Sequence, residues 1–131
     1  MFIDDDIPTT EYHKYVVEKM NFAKEALFFT EAEKALDYLK QIEVKYDFTD
    51  LIFVDINMPK MNGHELVSAI MDIPSFNQNR TTIAHLTSSS SIEDIKTSLV
   101  NDVVRYYQKP LGQQILVDIL KKDFHIDFQN Q

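Results

Sequence analysis

Residues 51–63, Leu-Ile-Phe-Val-Asp-Ile-Asn-Met-Pro-Lys-Met-Asn-Gly, constrain the fold more than any other stretch of the chain. Residues 51–54 are all apolar and mostly β-favouring, so neither alternating face suits water; such a strand is covered on both sides, as in a parallel sheet under helices. The run stops on a carboxylate, Asp55. Pro59 then forbids regular helix or sheet pairing, and Gly63 offers flexible backbone before the helical spacing of Leu66, Val67 and Ile70 begins. The order is strand, loop, helix, with an acid at the strand's carboxyl end.

The same order recurs along the chain. Met1, Phe2 and Ile3 form a short first strand that runs into Asp4, Asp5 and Asp6. Pro8, Thr9, Thr10 and Glu11 mark a helix start, with Tyr12, Tyr15, Val16 and Met20 at roughly helical spacing. Residues 26–29 read as a second strand containing the core pair Phe28 and Phe29. Thr30 and Glu33 then form a capping box for a helix with Ala32, Ala35, Leu36 and Leu39 on its apolar face. Residues 41–50 read as a polar connection anchored by Tyr46 and Phe48. After the central strand, Asn62 and Glu65 cap a helix to about Met71, ended by Ile73-Pro74, and residues 75–80 form a surface loop. Residues 82–86 are a strand closed by Thr87 and a run of serines, and Ser90 with Glu93 caps a helix to about residue 100. Residues 103–108 are a last strand closed by Lys109-Pro110, preceded by Asn101-Asp102 at a turn. A helix over 113–122 and a polar tail, about 123–131, finish the chain.

Five strand–helix units in alternation imply a doubly wound α/β fold, in which ligands sit beyond the carboxyl ends of the strands. Those ends carry Asp4-Asp5, Asp55, Thr87 and Lys109; the second strand ends on Thr30 and reads as an edge. The 131 residues fit one domain, 1–131, large enough to bury roughly 65–70% of the unfolded surface. With 21 acidic against 13 basic residues the net charge is -8, which opposes nucleic-acid and anionic-membrane partners and favours a site that gathers cations. Absence of cysteine excludes disulfides and thiol chemistry. No run approaches the roughly 20 apolar residues of a membrane span and no signal peptide is evident, so the expected location is cytoplasmic.

Carboxylates gathered within several ångströms repel by about 1–4 kcal/mol per pair at surface-like dielectric, and a cation must relieve this. Oxygen-only ligands suit Mg²⁺, with Asp5, Asp55 and the Asn57 backbone carbonyl as ligands and Asp4 acting through a metal-bound water. A carboxylate beside Mg²⁺ is a competent nucleophile toward phosphorus. Asp55 is the candidate nucleophile, Lys109 the cation that neutralises the phosphoryl oxygens, and Thr87 the hydroxyl donor.

The ordered set of Asp4-Asp5, Val-Asp-Ile-Asn-Met-Pro-Lys-Met-Asn-Gly at 54–63, Leu-Thr-Ser at 86–88, and Tyr106 before Lys109-Pro110 resembles the response regulator receiver domain, over essentially the whole chain. The resemblance implies a flavodoxin-like five-stranded parallel sheet of order 2-1-3-4-5 with helices on both faces. It implies that Asp55 accepts a phosphoryl group from a phosphohistidine on a sensor histidine kinase or histidine phosphotransfer protein, in a two-component phosphorelay. Thr87 and Tyr106 match the family's switch pair, so phosphorylation would reshape a surface carrying Val103, Arg105, Tyr107 and Ile115, offered to a downstream protein or to a second copy as a homodimer. On this reading the chain is a phosphoacceptor with intrinsic autophosphorylation and autodephosphorylation, not an enzyme with a separate substrate.

A receiver fragment of a hybrid histidine kinase fits the same residues. A haloacid dehalogenase-type phosphohydrolase also uses an aspartyl phosphate, and Asp4 and Asp6 mimic its opening motif; Pro8, the lack of an acidic pair after Lys109 and the lack of room for a cap domain oppose it. A non-catalytic module of the same fold is opposed by the filling of every chemical position. Asp6 reads as a solvated neighbour of the site. His13, His64, His85 and His125 show no ligand spacing and receive no role, with His85 read as a packed or edge strand residue.

Overall fold

The computed structural model describes residues 1–44, 49–77, 79–88, 104–109 and 111–126. Within them the elements are β1 (Phe2–Ile3), α1 (Ile7–Met20), β2 (Phe28–Phe29), α2 (Ala32–Val44), β3 (Leu51–Asp55), α3 (Gly63–Met71), β4 (Thr82–Thr87), β5 (Val104–Gln108) and α4 (Gln113–Phe124). The helix expected over 91–100, the Asn101-Asp102 turn, the anchors Tyr46 and Phe48, Val103, Pro110 and the end of the tail lie outside the described residues.

All strand pairs are parallel and their order is β2-β1-β3-β4-β5, the flavodoxin-like order expected. Alternation along the strands divides the core in two. Ile3, Ile52, Val54, Ile83 and Val104 pack with Ala35, Leu36 and Leu39 of α2 and Leu66, Val67 and Ile70 of α3. Phe2, Leu51, Phe53, Ala84 and Leu86 pack on the other face with Val16 and Met20 of α1 and Leu116, Ile119 and Leu120 of α4. The central strand β3 is buried at all five positions, which is why its sequence shows no polar alternation.

β1 has only two paired residues, yet both neighbours grip it. The Phe2 N–H donates to the Leu27 carbonyl, and the Asp4 N–H to that of Phe29, while Phe53 N–H donates back to Met1. The Phe2 ring stacks between Phe28 and Phe53, with centroids 5.1 and 5.0 Å away. These contacts fix where β1 ends and so where its acids begin.

Three local expectations change. Helix α1 starts at Ile7, with Asp6 as its N-cap: the Asp6 carboxylate accepts from the Thr9 N–H at 3.0 Å, and Pro8 falls in the first turn, where a missing N–H costs nothing. Asp6 is exposed but is a cap rather than a solvated bystander. Helix α2 opens one residue later than the Thr30 cap implies, with the Ala35 N–H reaching the Glu31 carbonyl, and runs on to Val44 where a polar connection was expected. Ile42 extends the apolar stripe beyond Leu39 and packs against the first core, so burial carries the helix on. Helix α4 likewise runs to Phe124, two residues beyond the expected end.

Gly63 is required by space rather than by flexibility. No glycine here has positive φ, but a Cβ at Gly63 would lie 2.4 Å from the Asp55 carbonyl oxygen and 2.7 Å from the Ile56 Cα. The left-handed residue of this loop is Lys60, at φ 68°, bridged by a 2.8 Å hydrogen bond from the Met61 N–H to the Pro59 carbonyl. The first turn of α3, closed by the reciprocal Asn62–Glu65 capping box, therefore presses directly on the backbone of Asp55. Gly63→Ala is expected to lower unfolding free energy by about 1–3 kcal/mol, the usual cost of overpacking against backbone, in a urea titration; an unchanged midpoint would contradict this packing.

Candidate functional site

The carboxyl ends of β1, β3 and β5 converge on one acidic corner. Asp55, the last residue of β3, and Asp4, just beyond β1, are both buried, and Asp5 is exposed at the rim. One carboxylate oxygen from each of Asp4, Asp5 and Asp55 lies within 4.8 Å of the others. Lys109, immediately after β5, reaches into the cluster: its Nζ is 2.5 Å from Asp4 Oδ2 and 3.4 Å from Asp55 Oδ1.

Backbone and hydroxyl groups hold Asp4 in place. Its Oδ1 accepts from the Asp6 N–H at 2.9 Å, and its carbonyl accepts from the Thr10 hydroxyl at 3.3 Å. Thr10 reads from the sequence only as part of a helix start, and its position one turn into a helix that begins at the acids is the signal for this further contact. Thr87 closes β4 and is fully buried; its carbonyl accepts the Lys109 N–H at 2.8 Å, which seats the lysine at the mouth of the site. Asn57 lies two residues beyond Asp55 in the exposed loop. Tyr106 is half-buried in β5, opposite His85 in the β4–β5 register and two residues short of the strand's end.

The electrostatics follow from this crowding. Burial, and next the Asp4 charge, push the Asp55 carboxyl up to about 6, with Asp5 adding to the rise and Lys109 opposing it. Burial works against the Lys109 ammonium, but the hydrogen bond to Asp4 and the charges of Asp55 and Asp4 outweigh it, and its pKa is raised. Lys109 is thus a fixed cation at every physiological pH, while Asp55 is a carboxylate poised near neutrality.

Residues 1–121 match the response regulator receiver domain family. The chain belongs to that family. It is 30% identical over 96 residues to a probable methanogenesis regulatory protein, FilR2, of Methanothrix harundinacea, a match covering 72% of this chain and 61% of that relative, so the receiver spans less than two thirds of the relative's length. A two component response regulator from Cytophaga hutchinsonii superposes with a TM-score of 0.85 at 25% identity, covering 95% of each chain. The receiver domain of the histidine kinase CKI1 from Arabidopsis thaliana, solved in complex with Mg²⁺, superposes with a TM-score of 0.76 at 20% identity, covering 92% of this chain and 88% of that one.

Receivers are the phosphoacceptors of two-component signalling, not enzymes in the ordinary sense, and they bind Mg²⁺ at an acidic pocket; in this receiver the acidic cluster is Asp4, Asp5 and Asp55. Among the described residues no helix is long and apolar enough to cross a membrane. Of the expected partner surface, Arg105 is exposed and ion-paired to Asp123 of α4, while Tyr107 and Ile115 are partly buried against the second core.

A carboxyl raised from its ordinary 3.8 to about 6 takes up protons more readily in the folded state, so it adds no penalty below pH 4 and destabilises the fold progressively as pH rises from about 4 to 6. Without metal at pH 7, Asp55→Asn should therefore stabilise the receiver by about 1–3 kcal/mol, a gain that fades as pH falls toward 4. Thermal unfolding at several pH values measures this; a pH-independent gain, or a loss, would contradict the origin assigned to the strain.

Proposed function

We propose that Asp55 is the residue that accepts the phosphoryl group, from a phosphohistidine on a sensor histidine kinase or a histidine phosphotransfer protein. The observation that carries this reading is the buried carboxylate at the end of the central strand, raised in pKa yet paired to a fixed ammonium. Asp55 contributes an oxygen that forms a bond to phosphorus as the phosphorus–nitrogen bond to the donor imidazole breaks, the imidazole leaving with the bonding electron pair. Lys109, already within reach of Asp55, meets the charge on the phosphoryl oxygens, and the Thr87 hydroxyl donates a hydrogen bond to one of them. Intrinsic phosphorylation by small phosphodonors and slow hydrolysis of the aspartyl phosphate belong to the same reading.

The donor set suits a hard divalent ion. One ammonium among three carboxylates leaves two negative charges uncompensated, and every candidate ligand is oxygen. Asp5, Asp55 and the Asn57 carbonyl would hold Mg²⁺ directly and Asp4 through a water. Bound there, Mg²⁺ supplies positive charge to the phosphoryl oxygens during transfer.

The effect of phosphorylation is carried by Thr87 and Tyr106. An aspartyl phosphate adds about two negative charges and strong acceptors, drawing in the Thr87 hydroxyl and making room for Tyr106 to turn inward. The surface around Arg105, Tyr107 and Ile115 then changes for a downstream protein or a second copy. In this reading residues 1–131 form one domain whose tail follows Phe124, working in the cytoplasm.

Acetyl phosphate with Mg²⁺ should add one phosphate to the protein by intact mass and none to Asp55→Asn; undiminished modification of that variant would overturn the assignment. Asp5→Ala should weaken Mg²⁺ binding at least tenfold by fluorescence or calorimetric titration. Asp6→Ala should leave it nearly unchanged while lowering the thermal midpoint, because it removes the α1 cap. Equal losses of Mg²⁺ affinity in the two variants would reverse the roles given to Asp5 and Asp6.

A further inference from the structure

Two histidines without an obvious role stand together on the sheet face covered by α2 and α3. His85 lies in the middle of β4, a strand flanked on both sides, and is 1% exposed, with its Nδ1 3.4 Å from the Val54 carbonyl oxygen. His64 is the second residue of α3, and its ring meets that of His85 edge-on, with centroids 4.8 Å apart and planes at 66°. The Nε2 of His64 is buried and has no hydrogen-bond partner among the described residues. A buried ring nitrogen without a partner gains a hydrogen bond from any polar group brought within its reach.

The register supplies a partner. Tyr106 is opposite His85 across the β4–β5 ladder, so the two side chains rise from the same face of the sheet. Neighbouring strands are about 4.8 Å apart, less than the reach of a tyrosine side chain, so a ring laid inward over β4 brings its hydroxyl toward the first turn of α3. His64 is held firmly at that turn. Gly63 before it leaves no room beneath the Asp55 carbonyl, and the Asn62–Glu65 capping box closes the turn around it.

We propose that His64 is a positioning residue of the switch: its Nε2 pairs with the Tyr106 hydroxyl when the tyrosine turns inward, over the His85 ring as floor. Because a hydroxyl both donates and accepts, either neutral tautomer of His64 can make the bond. The bond forms only in the switched state, and it ties Tyr106 to a helix start that already rests on the phosphoacceptor's own backbone. This inference rests on the Thr87–Tyr106 switch proposed above.

The test uses the full chain with Mg²⁺ and beryllofluoride, following the Tyr106 ring carbons and the His64 imidazole nitrogens by NMR. The expected result is that the Tyr106 ring signals move and the His64 Nε2 shift moves with them. His64→Leu and Tyr106→Phe should each reduce the ratio of switched to unswitched protein by roughly three- to tenfold, the worth of one hydrogen bond, and the double variant should lose no more than either alone. Movement of Tyr106 with an unchanged His64 Nε2 shift, or additive losses in the double variant, would overturn the role of His64 while leaving the switch in place. A Tyr106 ring that does not respond in the unsubstituted protein would overturn the switch itself and this inference with it. The imidazole measurement on the unsubstituted chain needs no variant to fold.

Discussion

The Lys109 ammonium stands 2.5 Å from Asp4 and 3.4 Å from Asp55, and without it two buried carboxylates would share one corner with a third acid at its rim. Each close pair costs about 1–4 kcal/mol at a surface-like dielectric, and more where burial lowers it. The lysine offsets part of this, and burial first, with the Asp4 charge next, still leaves the Asp55 carboxyl raised. The residual negative charge is what suits the corner to a divalent ion. The fold holds the charges there by means unrelated to charge: the grip of β2 and β3 on β1, the burial of β3 on both faces, and the hydrogen bond from Lys109 to the Thr87 backbone.

Much of this was legible in the sequence because strand and helix periods are local signals. The uninterrupted apolar run before Asp55 announced a strand covered on both faces, and a parallel sheet gathers its strand ends on one side. That alone places Asp4, Asp5, Asp55, Thr87 and Lys109 at one end of the sheet. Local signals also misled where two of them competed. Pro8 and the threonines look like a helix start, yet Asp6, two residues before the proline, takes the cap because its carboxylate reaches the Thr9 N–H. The polar residues after Leu39 look like a connection, yet Ile42 finds the core and the helix continues.

Tertiary features left no local trace. Gly63 seems chosen for freedom and is in fact required by the 2.4 Å approach of the Asp55 carbonyl to where a Cβ would be. His64 and His85 are 21 positions apart, one opening a helix and one inside a strand, and nothing in their spacing foretells the edge-on contact of their rings. Both features concern the same piece of structure, the first turn of α3 pressed against the end of β3. A change of charge at Asp55 therefore acts on backbone that is in direct contact with a helix, and that helix touches the strand carrying Thr87.

The most direct test of the account is to locate the phosphoryl group itself. Borohydride reduction of the acetyl phosphate-treated receiver in the presence of Mg²⁺ converts an aspartyl phosphate to homoserine, which peptide mass spectrometry places in the chain. Homoserine is expected at position 55 alone, abolished when Mg²⁺ is withheld. Homoserine at position 4 or 5, or labelling at 55 that persists without the metal, would contradict it.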